Sequence, residues 1–357
     1  MPLSATSAAM PRAQILSLTT LVPEHLLDTQ EVLAQARSHF ADKHPDFSRL
    51  EPVFSNTGIA RRYSSRPYSW FHDPQGWPER SAAYVEDAQS LLRALAPKAL
   101  AQAHLNADEI DTIVTVSSTG IATPSLEARI LHELGFRDDV QRVPVFGLGC
   151  AGGVGGLSLA ARLAQANPGS RVLLLVVELC TLAFRQDELS KSNLIATALF
   201  GDGAAAAILS TEGTGDIGEV EWTGEHTWAQ TQDIMGWRID PTGFGAIFSR
   251  SIPDLVVQRL RATLDAFLAR HNLTIDHIAQ FVCHPGGAKV VTALERAFGL
   301  AYGRLQNERD ILRDYGNMSA PTVLFVLDKA RHELQRGRRL LSALGPGFSA
   351  SFVTIQI

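Results

Sequence analysis

The sequence predicts an α/β protein built from two similar halves, and three observations lead to this fold class. Several predicted strands are continuously apolar, among them TIVTV at 112–116 and VLLLVV at 172–177, which is typical of strands buried on both faces of a sheet. Sequence landmarks recur at a spacing of 164 to 167 residues. Each half also has a glycine-led turn that opens a helix, at Cys150 and at Asn317. We therefore expect two layered halves related by an approximate twofold axis.

Three pairs of landmarks, in chain order, define the repeat. The matched pairs are Ile113 with Ile278, Gly135 with Gly299, and Cys150 with Asn317, at spacings of 165, 164 and 167 residues. The first pair lies in an Ile-Asp-x-Ile core that opens an apolar strand, and the last pair lies at predicted strand-to-helix turns. We assign residues 1–222 to the first half and 223–357 to the second. On this assignment Cys150 and Asn317 face a shared centre.

Length and composition exclude several classes of protein. The chain has 357 residues, of which 45% are hydrophobic and 19% charged, so a sizeable core is expected. The formal net charge of −5 has no long runs of one sign, unlike the basic face of a nucleic-acid-binding protein. No apolar stretch reaches the roughly 18 residues that indicate a membrane span.

The cysteines and the N-terminal segment predict a cellular location. Cys150, Cys180 and Cys283 lie far apart and form no CxxC pair, so neither a disulfide framework nor a zinc site is expected. The start, MPLSATSAAMPR, lacks the apolar core of a secretory signal and is predicted to be a short flexible tail. We expect a reduced, cytoplasmic protein.

The stretch VFGLGCAGGVGG at 145–156 crowds glycines around one cysteine. At the start of a helix, the macrodipole and the free N–H groups favour the thiolate form of a cysteine. We therefore expect Cys150 to be a nucleophile, with space for an acyl group left by Gly152, Gly153, Gly155 and Gly156. The alternative is an inert, buried cysteine whose glycines allow close helix packing.

Two further residues supply chemistry that a thiol would need. His284 closes the apolar strand FVCH before a Pro-Gly-Gly turn, at the kind of strand end where sites assemble. Asn317 in DYGNMSAPT is, by itself, an ordinary N-cap candidate. With Cys150, the two residues form a set that suits acyl transfer or peptide hydrolysis. His284 and Asn317 can also donate two hydrogen bonds to one oxygen, as the enolate from a decarboxylated malonyl thioester requires, while Cys150 holds the acyl chain.

These residues and their surroundings resemble the type III polyketide synthases, the chalcone-synthase-like branch of the thiolase superfamily. The similar stretches run in family order from about residue 110 to the end: GLGCAGGVGGLSLAARLA, RVLLLVVELCTLAFR, ALFGDGAAAAIL, CHPGGAKVVTALE, YGNMSAPTVLFVLDKA and GPGFSASFV. The resemblance implies a homodimer with a duplicated αβαβα fold. It also implies acyl-CoA and malonyl-CoA as substrates, with no metal or redox cofactor.

The resemblance assigns a role to each candidate residue. Cys150 is the acyl-carrying nucleophile, activated by His284, and His284 with Asn317 supports decarboxylation. Seven positions are expected to bind substrate: Phe200 at the junction of cavity and coenzyme A tunnel, Cys180 and Ala183 on the cavity wall, Thr123 at the point where plant members reach across the dimer, Ala246 at an aromatic gate, and Gly347 and Phe348 in a cavity-shaping loop.

Departures from the plant pattern bear on the substrate. The basic residues near the tunnel mouth do not align; Arg49, Arg61 and Arg62 are nearby, and no coenzyme A contact is assigned to them. The small residue Ala246 replaces an aromatic gate, which favours a longer acyl chain. The stretch DIMGWRIDPTGFGAIFSRSIP is similar to bacterial synthases that convert fatty acyl-CoA starters into alkylpyrones or alkylresorcinols. We therefore predict a medium- or long-chain starter.

Three other functions stay open at this point. A ketoacyl-carrier-protein synthase III-like enzyme would stop after one condensation, although such enzymes usually have His-Gln-Ala-Asn where this chain has His-Pro-Gly-Gly at 284–287. A Cys–His–Asn hydrolase would release free acid from acyl-CoA without malonyl-CoA. A non-catalytic relative would only bind acyl groups, and that function needs none of the three residues.

Overall fold

The computed structural model describes residues 11–41, 43, 47–333 and 336–357. Residues 1–10, most of the predicted flexible tail, lie outside the described residues. The α-helices are α1 (Thr29–Phe40), α2 (Phe47–Leu50), α3 (Pro52–Asn56), α4 (Trp77–Ala103), α5 (Leu126–Ile130), α6 (Gly152–Ala166), α7 (Lys191–Leu199), α8 (Ile252–Leu255), α9 (Arg261–Ala269), α10 (Ala288–Phe298), α11 (Gln306–Tyr315) and α12 (Thr322–Ala330). A π-helical turn, Val256–Leu260, makes α8 and α9 continuous.

The strands are β1 (Ala13–Leu21), β2 (His25–Asp28), β3 (Arg61–Ser64), β4 (Thr112–Val116), β5 (Gln141–Val145), β6 (Val172–Leu179), β7 (Asp202–Ser210), β8 (Glu219–Thr227), β9 (Met235–Asp240), β10 (Gly243–Phe248), β11 (Gln280–Cys283), β12 (Arg338–Gly345) and β13 (Ser349–Gln356). Nine of them form one sheet in the order β11-β12-β13-β8-β1-β7-β6-β4-β5. The pairs β2–β3 and β9–β10 are separate two-stranded sheets.

The large sheet consists of two parts with the same strand directions. In the first part β4 is parallel to β6, and β6 and β1 are antiparallel to β7. In the second part β11 is parallel to β12, and β12 and β8 are antiparallel to β13. The two parts meet where β1 pairs with β8 through Ala13 with Val220 and Gln14 with Glu219. The predicted duplication is therefore present in the strand order.

Helices α6 and α12 lie between the two parts of the sheet. Their apolar side chains form one core with the inward faces of β6, β7, β12 and β13. Helix α4 covers the outer face of the first part, and α9 with α10 covers the outer face of the second. Helices on both faces explain why every residue of Thr112–Val116 and Val172–Leu179 is buried. The expected αβαβα fold is confirmed.

Among the repeat landmarks, Gly135 and Gly299 are equivalent. Both adopt left-handed backbone, with φ of 78° and 70°, and after each the next N–H bonds to the carbonyl five residues back. Cys150 and Asn317 sit differently. Cys150 follows strand β5, whereas Asn317 follows helix α11, and α12 begins only at Thr322. The expected strand-to-helix turn at Asn317 is therefore wrong, because a helix stands in the second half where β5 stands in the first.

The pairing of Ile113 with Ile278 is also wrong. Each matched strand follows a short 3₁₀ turn, Ala107–Glu109 in the first half and Ile275–His277 in the second. Ile110 and Ile278 each follow directly after these turns, so Ile110, and not Ile113, is equivalent to Ile278, and the spacing becomes 168 residues. The shared Ile-Asp pair follows the turn in the first half and lies inside it in the second.

The predicted division between residues 222 and 223 falls within β8 (Glu219–Thr227). It stays a prediction. Among the described helices, none is both long enough and apolar enough to cross a bilayer.

Candidate active site

Cys150 lies in a 3₁₀ turn, Gly149–Ala151, between β5 and α6. Gly149 takes a φ of +49°, and a Cβ atom there would lie 2.7 Å from Cδ of Pro346, so a side chain is excluded at this position. The Ser118 hydroxyl accepts a hydrogen bond from the Gly149 N–H at 3.1 Å. These contacts fix the backbone that presents the thiol. Cys150 as a whole is 7% exposed.

The glycines after Cys150 serve helix packing. A Cβ atom at Gly153 would lie 2.2 Å from the Ala320 carbonyl oxygen, and one at Gly152 would lie 2.8 Å from Cγ1 of Val116. Helix α6 therefore approaches the segment before α12 and strand β4 more closely than a side chain permits. The expectation that these glycines leave space for an acyl group is wrong, because they allow close helix packing; this packing does not decide the role of Cys150.

The Asn317 amide is oriented by its own backbone surroundings. Its main-chain N–H donates to Leu199 O at 2.9 Å, and its Oδ1 accepts from the Ser319 N–H at 2.8 Å. Its Nδ2 then faces the Gly286 carbonyl at 3.3 Å. Hydrogen bonding from the Ser319 and Asn317 side chains favours the thiolate form of Cys150 and acts to lower its pKa. Asn317 can thus donate to an atom at the sulfur.

His284 follows β11, where its N–H donates to Ser342 O at 2.8 Å. The residue is 5% exposed, and neither ring nitrogen has a hydrogen-bond partner among the described residues. Buried polar groups usually have such a partner. Both nitrogens of His284 are therefore available to a substrate or to the thiol.

One cavity of about 450 Å³ brings the three predicted catalytic residues together, within the size range of ligand pockets. Its walls are mostly apolar, with Ile195, Leu199, Met235, Phe248, Ile252, Val290 and Leu344 among the lining residues. The structure thus places Cys150, His284 and Asn317 at one site, while their catalytic roles stay a prediction.

Burial sets the charge state of this site. It raises the pKa of Cys150 to about 11 and lowers the pKa of His284 to about 3. The expected lowering of the thiol pKa by the helix start is wrong, because desolvation of the sulfur outweighs the hydrogen bonds that favour the thiolate. At neutral pH both groups are uncharged. A neutral imidazole can donate a hydrogen bond from one nitrogen and accept a proton at the other.

Glu178, at the end of β6, was missed by the sequence analysis. Its Oε2 accepts from the Ser118 N–H at 2.9 Å and from the Thr119 hydroxyl at 2.8 Å, while Oε1 has no partner in the described part of the chain. Burial raises the pKa of Glu178 to about 7. Its negative form contributes to the raised pKa of Cys150. The signal available in the sequence was this single acidic residue, which directly follows the apolar run VLLLVV.

Phe200 and Cys180 lie beside the catalytic cavity rather than on its lining. The Phe200 ring packs at 5.5 Å from Phe248, which lines that cavity, and its backbone bridges to Asn317. Phe200 and Cys180 together line a second cavity of about 100 Å³. They therefore separate the two spaces.

Four other predicted substrate-binding residues lie outside the catalytic cavity lining. Ala183 lines a separate cavity of about 20 Å³, and Thr123 is exposed, with its carbonyl accepting from Arg129 at 3.2 Å. Gly347 and Phe348 lie at the turn between β12 and β13, where Phe348 stacks on Trp228 at 5.4 Å.

Trp237 fills space beside the predicted gate residue Ala246. In the β9–β10 hairpin the two residues are direct cross-strand partners. The indole N–H donates to Ser118 O at 2.8 Å, and the ring lies 6.0 Å from Phe200. Sequence reasoning weighed Ala246 alone, although counting both strands outward from the Pro-Thr turn of the hairpin pairs 237 with 246.

The basic residues that line the catalytic cavity are not the arginines considered in the sequence analysis. Lys191, Arg250 and Lys289 contribute to its lining. Arg62, by contrast, is 3% exposed and donates to Thr197 O at 2.5 Å, and Arg61 pairs with an acidic side chain at 3.4 Å.

A buried thiol, a neutral imidazole and an amide at one apolar cavity of an αβαβα fold define an enzyme of the acyl-transferring class. Family comparison makes the assignment specific. The N-terminal domain of chalcone and stilbene synthases matches residues 3–213, and the C-terminal domain of the same family matches residues 219–353. The chain belongs to the chalcone and stilbene synthases, the type III polyketide synthases.

Individual relatives agree with this assignment. A 1,3,6,8-tetrahydroxynaphthalene synthase of Streptomyces peucetius subsp. caesius is 35% identical over 349 residues, covering 96% of this chain and 92% of its own. A Bacillus subtilis (strain 168) protein that carries the name of a chalcone synthase is 36% identical, with 96% and 98% covered. The crystal structure of 1,3,6,8-tetrahydroxynaphthalene synthase from Streptomyces coelicolor A3(2), a bacterial type III polyketide synthase, superposes with a TM-score of 0.90 at 27% identity, covering 96% and 99%. The protein is thus a polyketide synthase, an acyltransferase that forms carbon–carbon bonds.

Proposed function

We propose that the enzyme extends a medium- or long-chain fatty acyl-CoA with malonyl-CoA in several rounds, and cyclises the product to an alkylpyrone or alkylresorcinol. In the loading step, the Cys150 sulfur attacks the thioester carbon of the starter. The Cys150 proton moves through His284 to the departing coenzyme A sulfur. The observation that carries the proposal is the apolar lining around Cys150, where each buried methylene of a starter contributes about 0.8 kcal/mol.

Extension uses the donors opposite the thiol. Malonyl-CoA loses CO₂, and the electron pair of the broken bond forms an enolate whose oxygen accepts from His284 and Asn317. The enolate carbon then attacks the thioester on Cys150, which forms the new carbon–carbon bond and breaks the carbon–sulfur bond. The departing Cys150 thiolate takes a proton from water through His284, and the extended acyl-CoA reloads onto Cys150 for the next round. Neutral donors suit this oxygen because they stabilise the developing charge without ion pairing to the starting carboxylate.

A short or malonyl-derived starter is the second candidate. Trp237 fills space beside Ala246 and packs in one cluster with Phe200 and Phe248, of which Phe248 lines the catalytic cavity. Three relatives, moreover, carry the name 1,3,6,8-tetrahydroxynaphthalene synthase. The two candidates differ in the acyl chain they accept, not in the chemistry at Cys150.

The test is product mass across a series of starters from acetyl-CoA to palmitoyl-CoA, with malonyl-CoA, for the wild type and Cys150→Ala. Cyclised tri- or tetraketides from the long starters, absent in the variant, support the first candidate. If only the shortest starters or malonyl-CoA alone gave product, the second would stand. A single β-ketoacyl product, or free acid formed without malonyl-CoA, would instead establish one condensation or hydrolysis.

The chain acts as a homodimer through the open edge of β5. This strand ends the sheet, and Ile121 and Phe146 beside it are 56% and 52% exposed. Unpaired edges and apolar patches of this kind favour a partner, and Thr123 lies in the same loop as Ile121. Light scattering should show a dimer that Phe146→Glu dissociates and the control Ile239→Glu, on β9, does not. A monomeric wild type would refute the dimer.

Turnover requires no metal or redox cofactor, because every step is a proton transfer or a carbon–sulfur or carbon–carbon bond change. Enzyme dialysed against EDTA should keep its full rate. Rate recovery on metal addition would contradict this. The cytoplasmic location stays a prediction.

A further inference from the structure

The last residue of β11 is tied to helix α11 by a buried carboxyl group. Glu308, about two turns before the end of α11, is 1% exposed, and its Oε1 accepts a hydrogen bond from the Cys283 N–H at 2.8 Å. Cys283 ends β11 and directly precedes His284. The helix ends at Tyr315, two residues before Asn317. One side chain therefore joins the two segments that present His284 and Asn317.

The direction of this hydrogen bond follows from the edge of the large sheet. The His284 N–H donates to Ser342 O in the neighbouring strand β12 at 2.8 Å. Because successive residues of a strand point in alternate directions, the Cys283 N–H points away from β12, to the side where the sheet ends. In the first half β5 covers that side of β4 and pairs with it along the whole strand. In the second half, where α11 stands in place of β5, the Glu308 carboxyl supplies the acceptor.

The other polar link between α11 and β11 lies at the far end of the strand. Asn307 Nδ2 and Gln280 Nε2 both donate to the Glu333 carboxylate at 2.6 Å, and Gln280 begins β11. Apolar side chains of both elements belong to one core, but apolar packing has no preferred direction. The Glu308 hydrogen bond therefore fixes α11 against the end of β11 that carries His284.

The Glu308 side chain is mostly uncharged at neutral pH. Burial raises its pKa to about 8, and the negative charges of Glu295 and Glu333 act in the same direction. The protonated carboxyl still has a carbonyl oxygen that accepts from the Cys283 N–H. Glutamine has the same length and the same acceptor, whereas leucine has no acceptor. Glu308→Gln therefore keeps the bond and Glu308→Leu removes it.

We infer that Glu308 is a positioning residue, which holds His284 at the distance from Asn317 that lets both side chains donate to one enolate oxygen. Glu308 is not among the residues that line the catalytic cavity, so it acts through the backbone of Cys283 and His284. The inference rests on the proposed function, which assigns the two donors to the enolate.

The experiment compares two rates in each enzyme: CO₂ release from labelled malonyl-CoA, and acylation of Cys150 by the starter. Two donors must meet at one oxygen in the first reaction, whereas His284 only transfers a proton in the second. In Glu308→Leu the first rate should fall about 10²-fold relative to the second, a loss that a misplacement of about 1 Å can cause, with little change in the KM for malonyl-CoA. Glu308→Gln should restore the wild-type ratio. Glu308→Asp, whose carboxyl is one methylene shorter, should show the same loss and takes the place of Glu308→Leu if the leucine variant does not fold.

Asn307→Leu is the matched control, because it removes the link from the same helix to the start of β11. It should keep the wild-type ratio even where it lowers the unfolding temperature. The inference is overturned if Asn307→Leu loses as much as Glu308→Leu, or if Glu308→Leu slows both reactions equally. Either result would show that loosening of the fold, and not the placement of His284, explains the effect.

Crystal structures separate this inference from the proposed function. The distance from the His284 ring to Asn317 Nδ2 should differ between the wild type and the variant that lacks the bond, and Glu308→Gln should keep the wild-type distance. An unchanged distance in that variant would overturn the inference. If the distance changes but the wild type releases no CO₂ from malonyl-CoA, the positioning of His284 by Glu308 stands and the proposed function fails.

Discussion

Removing the indole of Trp237 should lengthen the acyl chain that the enzyme accepts. Trp237 is the cross-strand partner of Ala246, and its ring packs at 6.0 Å from Phe200 and 5.9 Å from Phe244. Those neighbours are held by their own packing and cannot easily fill the space. In Trp237→Ala we therefore expect a new pocket that continues the catalytic cavity towards Cys180.

The size of the effect follows from the atoms removed. An indole has nine ring atoms, so even with partial collapse of the site its loss should admit about three or four methylenes. At about 0.8 kcal/mol for each buried methylene, the gain is about 2.4 to 3.2 kcal/mol. This corresponds to a roughly 50- to 200-fold rise in the kcat/KM ratio of a long over a short starter. The same change costs about 3–5 kcal/mol of folding stability.

The assay is competition between decanoyl-CoA and butyryl-CoA, with products quantified by mass. Thermal unfolding establishes that each variant is folded. Trp237→Phe, which keeps a ring but loses the N–H bond to Ser118, should shift the ratio only a few-fold. Trp222→Ala, which removes an indole stacked on His271 at 4.2 Å, away from the cluster that Trp237 forms with Phe200 and Phe248, should not shift it. An unchanged ratio in folded Trp237→Ala would show that this ring does not limit the starter.

Three other predictions concern charge and hydrogen bonding. Asn317→Leu should slow CO₂ release from labelled malonyl-CoA about 10²- to 10³-fold, as for a lost oxyanion donor, while mass spectrometry still detects an acyl group on Cys150; equal loss of both would contradict the assigned role. Alkylation of Cys150 by iodoacetamide should keep accelerating up to about pH 10, because burial raises its pKa to about 11; a plateau near pH 8 would contradict this, and Cys150→Ala gives the background. Burial also raises the pKa of Glu308 from 4.5 to about 8, so its protonated form stabilises the fold at low pH and this stability is lost as pH rises to about 8. Glu308→Gln keeps an acceptor for the Cys283 N–H. Measured by urea unfolding, the free energy of unfolding of this variant should rise relative to the wild type by up to about 1.4 kcal/mol for each pH unit between 4.5 and about 8. A difference that stays constant with pH would refute the assigned pKa.

The fold was predictable where local sequence determines local structure. Continuous apolar runs identified β4 and β6, because only strands covered on both faces bury every residue. The left-handed positions Gly135 and Gly299 were equally clear, since glycine marks that backbone. The pairing of Ile113 with Ile278 failed because each Ile-Asp-x-Ile core contains two isoleucines, and the 3₁₀ turn ends before the core in the first half but lies inside it in the second.

The site was predictable where one residue carries an unusual local context. Cys150 among glycines and His284 before Pro-Gly-Gly each stand out in the sequence. Trp237 does not, because its position depends on the register of a hairpin that places it against Ala246. The charge state at Cys150 was missed for a related reason, since desolvation depends on how completely distant segments cover the thiol.

The same burial bears on the choice between condensation and hydrolysis. An apolar cavity that raises the pKa of Cys150 to about 11 and lowers that of His284 to about 3 stabilises neither a resting thiolate nor an imidazolium. Proton transfer must therefore accompany attack on a bound thioester. In such a cavity a malonyl carboxylate is poorly solvated. When CO₂ is lost, the negative charge moves to the enolate oxygen, which His284 and Asn317 can stabilise. Among the described residues, no Asp or Glu lines this cavity to activate water. Burial thus disfavours hydrolysis of the Cys150 thioester for the same reason that it favours decarboxylation.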